Sequence, residues 1–280
     1  MIEIKSLKDI SLLEILNTFN ASFSDYLIPM NLSENEFKTK LYTENINWDF
    51  SVGVFFDQNL VAFILHFDDF EKGKKVLYNG GTGVVPSQRG NRWTQKMYEY
   101  LYPILRENQI QEVILEVIAT NEKAIGAYQK IGFKTERIVK CYKGILPHDL
   151  QINQALNLVE MEKPDWELFQ SFWDIQPTWQ NLPSVVDRME NKKILGAFLD
   201  NQLVGYLIFD PGKKRGHQMA VKLSHRRKYV AETLLSQMNE MGKEYSLLNV
   251  DEDALGLVSL LEKMKWTNTV NQLEMRLKLP

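Results

Sequence analysis

The sequence predicts an α/β fold with mixed strand directions, arranged in two domains. The chain has 280 residues, and a typical domain has about 150. In the first half, alternating and helix-spaced apolar residues follow the order β-α-α-β-β-β-α-β-α-β. Segments of this half recur, in the same order, in the second half. We therefore expect one domain at residues 1–150 and another at 151–280.

The chain opens with a strand and two helices. Residues 2–7 alternate between apolar and polar side chains, which is typical of a strand. Asp9 is expected to cap a helix that ends near Phe19. A Ser-x-x-Glu capping box at the start of 33–44 predicts the second helix.

Five strands and two further helices follow. The glycine-rich strand indicates a bulge or a close approach of another backbone, and a turn at residues 86–92 follows it. The predicted strands are 51–56, 60–67, 76–85, 112–118 and 133–142, and the predicted helices are 93–107 and Asn121–Ile131, the latter ended by Gly132.

Three segments of the first half match the second half. The offsets between them shrink steadily, so that a duplication explains them better than chance. The join is expected near residues 147–157. The matching pairs are 56–65 with 199–208, 89–94 with 226–231, and 128–133 with 261–266.

Composition excludes several functional classes. With 33 basic and 36 acidic residues the net charge is −3, so we expect no nucleic-acid partner and no binding to anionic membranes. Cys141 is the sole cysteine, and the four histidines lack ligand spacing, so no metal is expected. No apolar run has the length of a signal peptide or membrane span, which favours a cytoplasmic location.

Residues 88–94 connect a strand to a helix and contain Arg89, Gly90 and Arg92. The backbone N–H groups at a helix N-terminus are unpaired and attract phosphates. An ordinary turn with exposed arginines explains this stretch equally well. Other segments must therefore decide between the two interpretations.

Two motifs carry a resemblance to a known family. Val-Val-Pro-Ser-Gln-Arg-Gly at 84–90 is followed by Asn-Glu-Lys-Ala-Ile-Gly-Ala-Tyr-Gln-Lys-Ile-Gly-Phe at 121–133. Together they resemble the GNAT family of acyl-CoA-dependent N-acyltransferases over most of residues 1–145. The resemblance implies two GNAT-like domains (α/β in the α+β sense), each a mixed, mostly antiparallel sheet flanked by helices.

The resemblance also implies roles for individual residues in the first domain. Acetyl-CoA would be the acyl donor, with Asn121 bonded to its arm and Tyr128 protonating the departing thiolate. The pantetheine arm would pair with Gly83, Val84 and Val85. The pyrophosphate would lie on Arg89, Gly90, Asn91, Arg92, Trp93 and Thr94.

The loop departs from the family pattern at two positions. Arg92 stands where a second glycine is usual, and Thr94 stands where glycine or alanine is usual. A side chain at 92 restricts the backbone, although an arginine also binds phosphate directly. A non-catalytic CoA-binding or protein-interaction module with the same fold therefore remains the alternative to an N-acetyltransferase.

The acceptor would be a primary amine of a small molecule or peptide. Glu116, among apolar neighbours on its strand, is the candidate base, with Asp68 and Asp69 as alternatives. The segment 23–29 is expected to form the acceptor wall. The candidate acceptor-binding residues are Phe23, Asp25, Tyr26, Asn79 and Thr82.

The second half lacks the corresponding chemistry. Leu261 takes the place of Tyr128, and Ala254 takes the place of Asn121. We therefore expect residues 151–280 to be a degenerate, non-catalytic domain that covers the acceptor cleft or forms the surface of a homodimer. Its basic residues are either a solvated face or a residual anion site.

Overall fold

Contacts divide the chain into two units. The structure, a computed structural model, describes residues 1–28, 30–71, 73–238 and 244–279, without the side chains of Phe70 and Glu71. Unit 1 comprises Met1–Arg137 and Leu273–Pro280, and unit 2 comprises Ile138–Gln272. The first unit thus ends at Arg137 and also includes the C-terminal segment.

Unit 1 contains the elements that the sequence predicted, with some different ends, and its last strand, Lys134–Ile145, continues into unit 2 after Arg137. The first helix begins at Leu12 and not after Asp9, because the Ser11 side chain accepts from the Glu14 N–H at 3.2 Å. In chain order the elements are β1 (Ile2–Ser6), α1 (Leu12–Phe23), α2 (Glu34–Thr43), β2 (Val52–Phe56), β3 (Asn59–Glu71), β4 (Lys74–Val84), a 3₁₀ turn (Pro86–Gln88), α3 (Trp93–Glu107), β5 (Glu112–Ile118), α4 (Glu122–Ile131) and β6 (Lys134–Ile145).

Local sequence explains how these helices begin and end. Ser33 and Glu36 form the predicted capping box at the start of α2. Asn121 caps α4, and Gly132 ends it with φ 111°, a left-handed conformation that glycine adopts without strain. These caps orient α4 so that Tyr128, on its apolar face, joins the core between the sheet and α3.

The sheet of unit 1 has the strand order β1-β2-β3-β4-β5. Neighbouring strands are antiparallel except β4 and β5, which pair in parallel over Val76–Tyr78 and Glu112–Ile114. The register between β3 and β4 shifts after Leu65, so that Gly80 is an extra residue on β4. The sheet is therefore mixed and mostly antiparallel, as predicted.

Unit 2 repeats this plan. Its sheet has the order β6-β11-β10-β9-β8-β7, with only β10 and β11 parallel among the described pairs. The elements are β7 (Asn157–Glu160), α5 (Trp166–Gln170), a 3₁₀ turn (Trp179–Asn181), α6 (Pro183–Asp187), β8 (Lys193–Leu199), β9 (Gln202–Asp210), β10 (Arg215–Val221), a 3₁₀ turn (Leu223–His225), α7 (Val230–Ser236), β11 (Glu244–Asp251), α8 (Leu255–Lys263) and β12 (Thr267–Lys278).

Irregular features of the backbone are duplicated as well. The register shift that makes Gly80 an extra residue on β4 has its counterpart at His217 on β10. The residue before α3, Arg92, has φ 58°, and the residue before α7, Tyr229, has φ 60°. Matching bulges and left-handed residues at equivalent positions show that the two units share one fold.

Candidate active site

The polar residues of unit 1 converge where β4 and β5 separate. Pairing between these strands ends at Tyr78 and Ile114. From residue 79 to Val84, this edge of β4 has no β5 partner among the described pairs. An extended ligand arm can pair with such an edge in the way that an added strand does.

The N-terminus of α3 lies just after this edge. No side chain caps the helix, and Lys96 makes its first backbone hydrogen bond, to the Arg92 carbonyl at 3.1 Å. Gly90, with φ 85°, and Arg92, with φ 58°, turn the chain into the helix. The backbone N–H groups of the first turn are thus available to a phosphate, and the helix dipole favours a negative charge there.

Arg89, which the resemblance places at the pyrophosphate, makes hydrogen bonds to three residues of unit 1. Its guanidinium makes two bonds of 2.7 Å to the Asp25 carboxylate and one of 3.0 Å to the Ser22 carbonyl. A further bond of 3.3 Å reaches the Val84 carbonyl. The hydrogen bond from Arg89 holds the pKa of Asp25 below its usual value. Arg89 therefore ties the end of α1 to the end of β4, and Asp25 is paired with it.

Unit 2 contains the same clamp. Arg226 bonds Asp174 at 2.6 Å, the Phe172 carbonyl at 3.2 Å and the Val221 carbonyl at 3.0 Å. Asp174 and Phe172, just after α5, correspond to Asp25 and Ser22 at the end of α1. The clamp thus persists in a unit that has lost the other motif residues, which indicates that it serves the fold.

Glu116 is the candidate base on β5. It accepts a hydrogen bond from the Tyr78 hydroxyl through Oε2, and its Oε1 has no partner among the described residues. Burial raises the pKa of Glu116 to about 7, although the Tyr78 bond opposes the shift. A carboxyl with this pKa exchanges protons readily at neutral pH. The alternative Asp68 instead binds Asn45 and Asn47, at 2.7 and 3.0 Å.

Tyr128 is the candidate acid on α4. Its side chain is 9% exposed, and burial raises its pKa to about 12. A hydrogen bond with Thr82 acts in the opposite direction. The phenol is therefore protonated at neutral pH, as a proton donor must be.

Asn121 connects this helix to the segment after α1. Its Oδ1 accepts from the Ala124 N–H at 3.2 Å, and its Nδ2 donates to the Tyr26 hydroxyl at 3.4 Å. Tyr26 packs edge-on against Phe23, with ring centroids 5.2 Å apart. These two rings of the predicted acceptor wall thus lie beside α4; Pro29 of the same segment is outside the described residues.

The structure also joins two predicted residues, Asn79 and Thr82, to two that the sequence did not single out, Tyr98 and His66. Asn79 and Thr82, predicted to line the acceptor cleft, bond each other, and Asn79 also bonds the buried Tyr98. Tyr98 in turn faces His66. No spacing in the sequence links α3 with β3 in this way, because the contact depends on how the helix packs on the sheet.

Two further observations concern ligands and membranes. Within the described ranges, no group of three or more His, Cys, Asp or Glu side chains could hold a metal ion. The helices that the structure describes are all too short or too polar to cross a membrane.

Comparisons with known proteins concern the family of the first unit and the fold of the chain. The model of the Acetyltransferase (GNAT) family matches residues 13–133, while no curated protein matches the sequence. A GCN5-related N-acetyltransferase from Sphaerobacter thermophilus superposes with a TM-score of 0.75 at 13% identity, over 99% of this chain and 96% of that chain. A tandem GNAT protein from the clavulanic acid biosynthesis pathway gives 0.73 at 13% identity, over 100% and 99%.

A third neighbour, a GCN5-related N-acetyltransferase from Anabaena variabilis, gives a TM-score of 0.67 at 15% identity, over 100% of this chain and 73% of that chain. At these identities the neighbours show the fold alone. Residues 13–133 match the model of the Acetyltransferase (GNAT) family, and the chain has the two-domain fold of a tandem GNAT protein.

Proposed function

We propose that unit 1 is an N-acetyltransferase that transfers the acetyl group of acetyl-CoA to a primary amine. The observation that carries this proposal is the position of an acid and a base on either side of the strand separation. Tyr128 reaches Thr82 on β4, while Glu116 stands on β5 with a pKa of about 7. Unit 2 has neither group, and we propose that it supports the fold without catalysis.

The free edge of β4 and the uncapped N-terminus of α3 fit the donor. Acetyl-CoA would supply a thioester carbonyl, which the amine attacks, and a thiolate, which leaves as the C–S bond breaks. The first turn of α3 would bind the pyrophosphate through backbone N–H groups. Glu116 would accept the proton that the amine loses, and Tyr128 would donate a proton to the departing sulfur. No covalent bond to the protein is needed.

The test is the substitution Tyr128→Phe, with one accepted amine. It keeps the ring in the core and removes only the hydroxyl. General acid catalysis is typically worth about 10²–10⁴-fold, so we expect kcat to fall within that range. The dissociation constant of acetyl-CoA, measured by calorimetry, should stay constant. An unchanged kcat, with the chemical step shown to limit the rate, would contradict the role of Tyr128.

The alternative is a non-catalytic CoA-binding or protein-interaction module. The observation that favours it is the loop itself, in which Arg92 occupies a left-handed position and Arg89 is bonded to Asp25. An amine-panel assay separates the two functions, since the alternative predicts acetyl-CoA binding without turnover of any amine.

A further inference from the structure

A chain of polar side chains crosses the interior of unit 1, and no catalytic step above uses it. We call His66, Tyr98, Asn79 and Thr82 the buried polar network. His66 Nδ1 lies 2.8 Å from the Phe50 carbonyl oxygen, and its Nε2 lies 3.3 Å from the Tyr98 hydroxyl. Asn79 Nδ2 lies 3.0 Å from that hydroxyl and 2.8 Å from Thr82 Oγ1. His66 is fully buried, and Tyr98 is 1% exposed.

The hydrogen bonds of this network diverge from Asn79, which donates to Tyr98 on one side and to Thr82 on the other. The Phe50 carbonyl only accepts, so His66 Nδ1 carries the proton and Nε2 accepts from the Tyr98 O–H. The Tyr98 oxygen then accepts one N–H of Asn79, and Thr82 Oγ1 accepts the other.

The remaining proton of the network is on the Thr82 hydroxyl. It can turn either to Asn79 Oδ1, at 3.0 Å, or to the Tyr128 oxygen. When Asn79 Oδ1 accepts the Gly81 N–H, at 3.2 Å, the Thr82 proton is free to serve Tyr128.

Unit 2 shows that the fold does not require this network. The register pairs Phe209 with Gly216 where unit 1 pairs His66 with Asn79, and α7 and α8 supply the equivalents of α3 and α4. Every equivalent is apolar or small: Phe209 for His66, Gly216 for Asn79, Met219 for Thr82, Leu235 for Tyr98 and Leu261 for Tyr128.

Leu235 and Leu261 are fully buried, so apolar side chains fill the positions of Tyr98 and Tyr128 in unit 2. The buried polar contacts of unit 2 involve other positions, such as the bond from the Tyr206 hydroxyl to Gln218 Oε1 at 2.9 Å. A bonded pair of buried polar groups can be replaced by apolar groups of the same shape at little cost in stability. The network is present in the unit that has Tyr128 and absent from the unit that lacks it.

We propose that the buried polar network positions the Thr82 hydroxyl to donate to the Tyr128 oxygen as Tyr128 gives its proton to the departing sulfur. The proton of Thr82 stays on Thr82, and no bond other than the hydrogen bond forms. The inference rests on the proposed role of Tyr128. Preorganised donors aimed at developing charge lower a barrier without reorganising during the reaction.

Thr82 is the side-chain hydrogen-bond partner of the Tyr128 hydroxyl, which makes it the group for the network to position.

The test is a double-mutant cycle with Tyr98→Phe and Tyr128→Phe. Tyr98→Phe keeps the ring but breaks the network between His66 and Asn79. One lost hydrogen bond corresponds to about a tenfold change, so we expect kcat to fall about tenfold while the KM for the amine and the dissociation constant of acetyl-CoA stay constant. In the Tyr128→Phe background, Tyr98→Phe should have no further effect. Tyr100→Phe, at a position 39% exposed on the same helix, is the matched control.

Thr82→Val and Thr82→Ser are a second pair of variants, at the end of the network that is next to Tyr128. Valine should reduce kcat about tenfold, and serine, which keeps the hydroxyl, should restore it. Nitrogen NMR of the histidines in the free protein should show His66 with a protonated Nδ1, and Tyr98→Phe should move its Nε2 resonance.

Three outcomes would overturn the inference, each with a different meaning. Equal losses of kcat from Tyr98→Phe in both backgrounds would show that Tyr98 acts through core packing. Full activity of Thr82→Val, with Tyr128→Phe impaired, would reject the network and leave the proposed function intact. Full activity of Tyr128→Phe would reject the proposed function and the inference together. Because Thr82→Val does not depend on Tyr98, it decides the matter even if Tyr98→Phe fails to fold.

Discussion

Glu116 links the stability of unit 1 to pH. Burial raises its pKa in the folded protein from 4.5 to about 7. Between these values the folded protein holds a proton that the unfolded chain has released. The contribution of Glu116 to stability is therefore complete below pH 4.5 and is lost as the pH rises through about 7.

The size of this effect follows from the shift. A rise in the pKa of Glu116 from 4.5 to about 7 corresponds to about 3 kcal/mol of unfolding free energy. Glu116→Gln cannot titrate, yet it keeps an acceptor for the Tyr78 hydroxyl. Relative to this variant, we expect the parent protein to lose about 3 kcal/mol of unfolding free energy between pH 4.5 and pH 8.

Hydrogen exchange of the amides in β5 measures this free energy within unit 1 alone. Parent and variant are compared at the same pH, so that the intrinsic exchange rates cancel. The control is Glu122→Gln, which removes one exposed carboxylate from the start of α4. The raised pKa of Glu116 would be refuted if the unfolding free energy of the parent, minus that of Glu116→Gln, stayed constant or increased with pH. A carboxyl carbon NMR titration of Glu116 with a midpoint near 4.5 would refute it as well.

Three further predictions concern stability, reactivity and ligand binding. Gly83→Ala should destabilise unit 1 by about 1–3 kcal/mol, because the new Cβ would lie 2.4 Å from the Phe63 ring; hydrogen exchange in β4 measures this loss, and a variant as stable as the parent would contradict it. Cys141, at 6% exposure, should resist a thiol reagent in the native protein and react once in denaturant. Arg89→Ala should raise the calorimetric dissociation constant of acetyl-CoA, because Arg89 lies just before α3. Arg226→Ala should leave that constant unchanged. A constant raised by Arg226→Ala and unchanged by Arg89→Ala would assign the donor to unit 2.

Much of the fold could be predicted because its signals lie within a few residues. The capping box at Ser33, the cap at Asn121 and the left-handed Gly132 each depend on their immediate neighbours. The internal repeat could be recognised for the same reason. Hairpins and helix starts in the second half keep their local sequence patterns, although the residues matching Asn121 and Tyr128 are absent there. The start of α1 was misplaced because Asp9 and Ser11 are both good capping residues.

The candidate site could be predicted only as a set of residues. The sequence by itself determined the two motifs, the duplicated fold and the presence of Tyr128 and Glu116. The tertiary structure alone decided that Arg89 bonds Asp25, that the half-buried Glu116 bonds Tyr78, and that the C-terminal residues return to unit 1. The physical reason is distance along the chain: these contacts join residues far apart in sequence, and only strand register and the packing of helices on the sheet determine which of them meet.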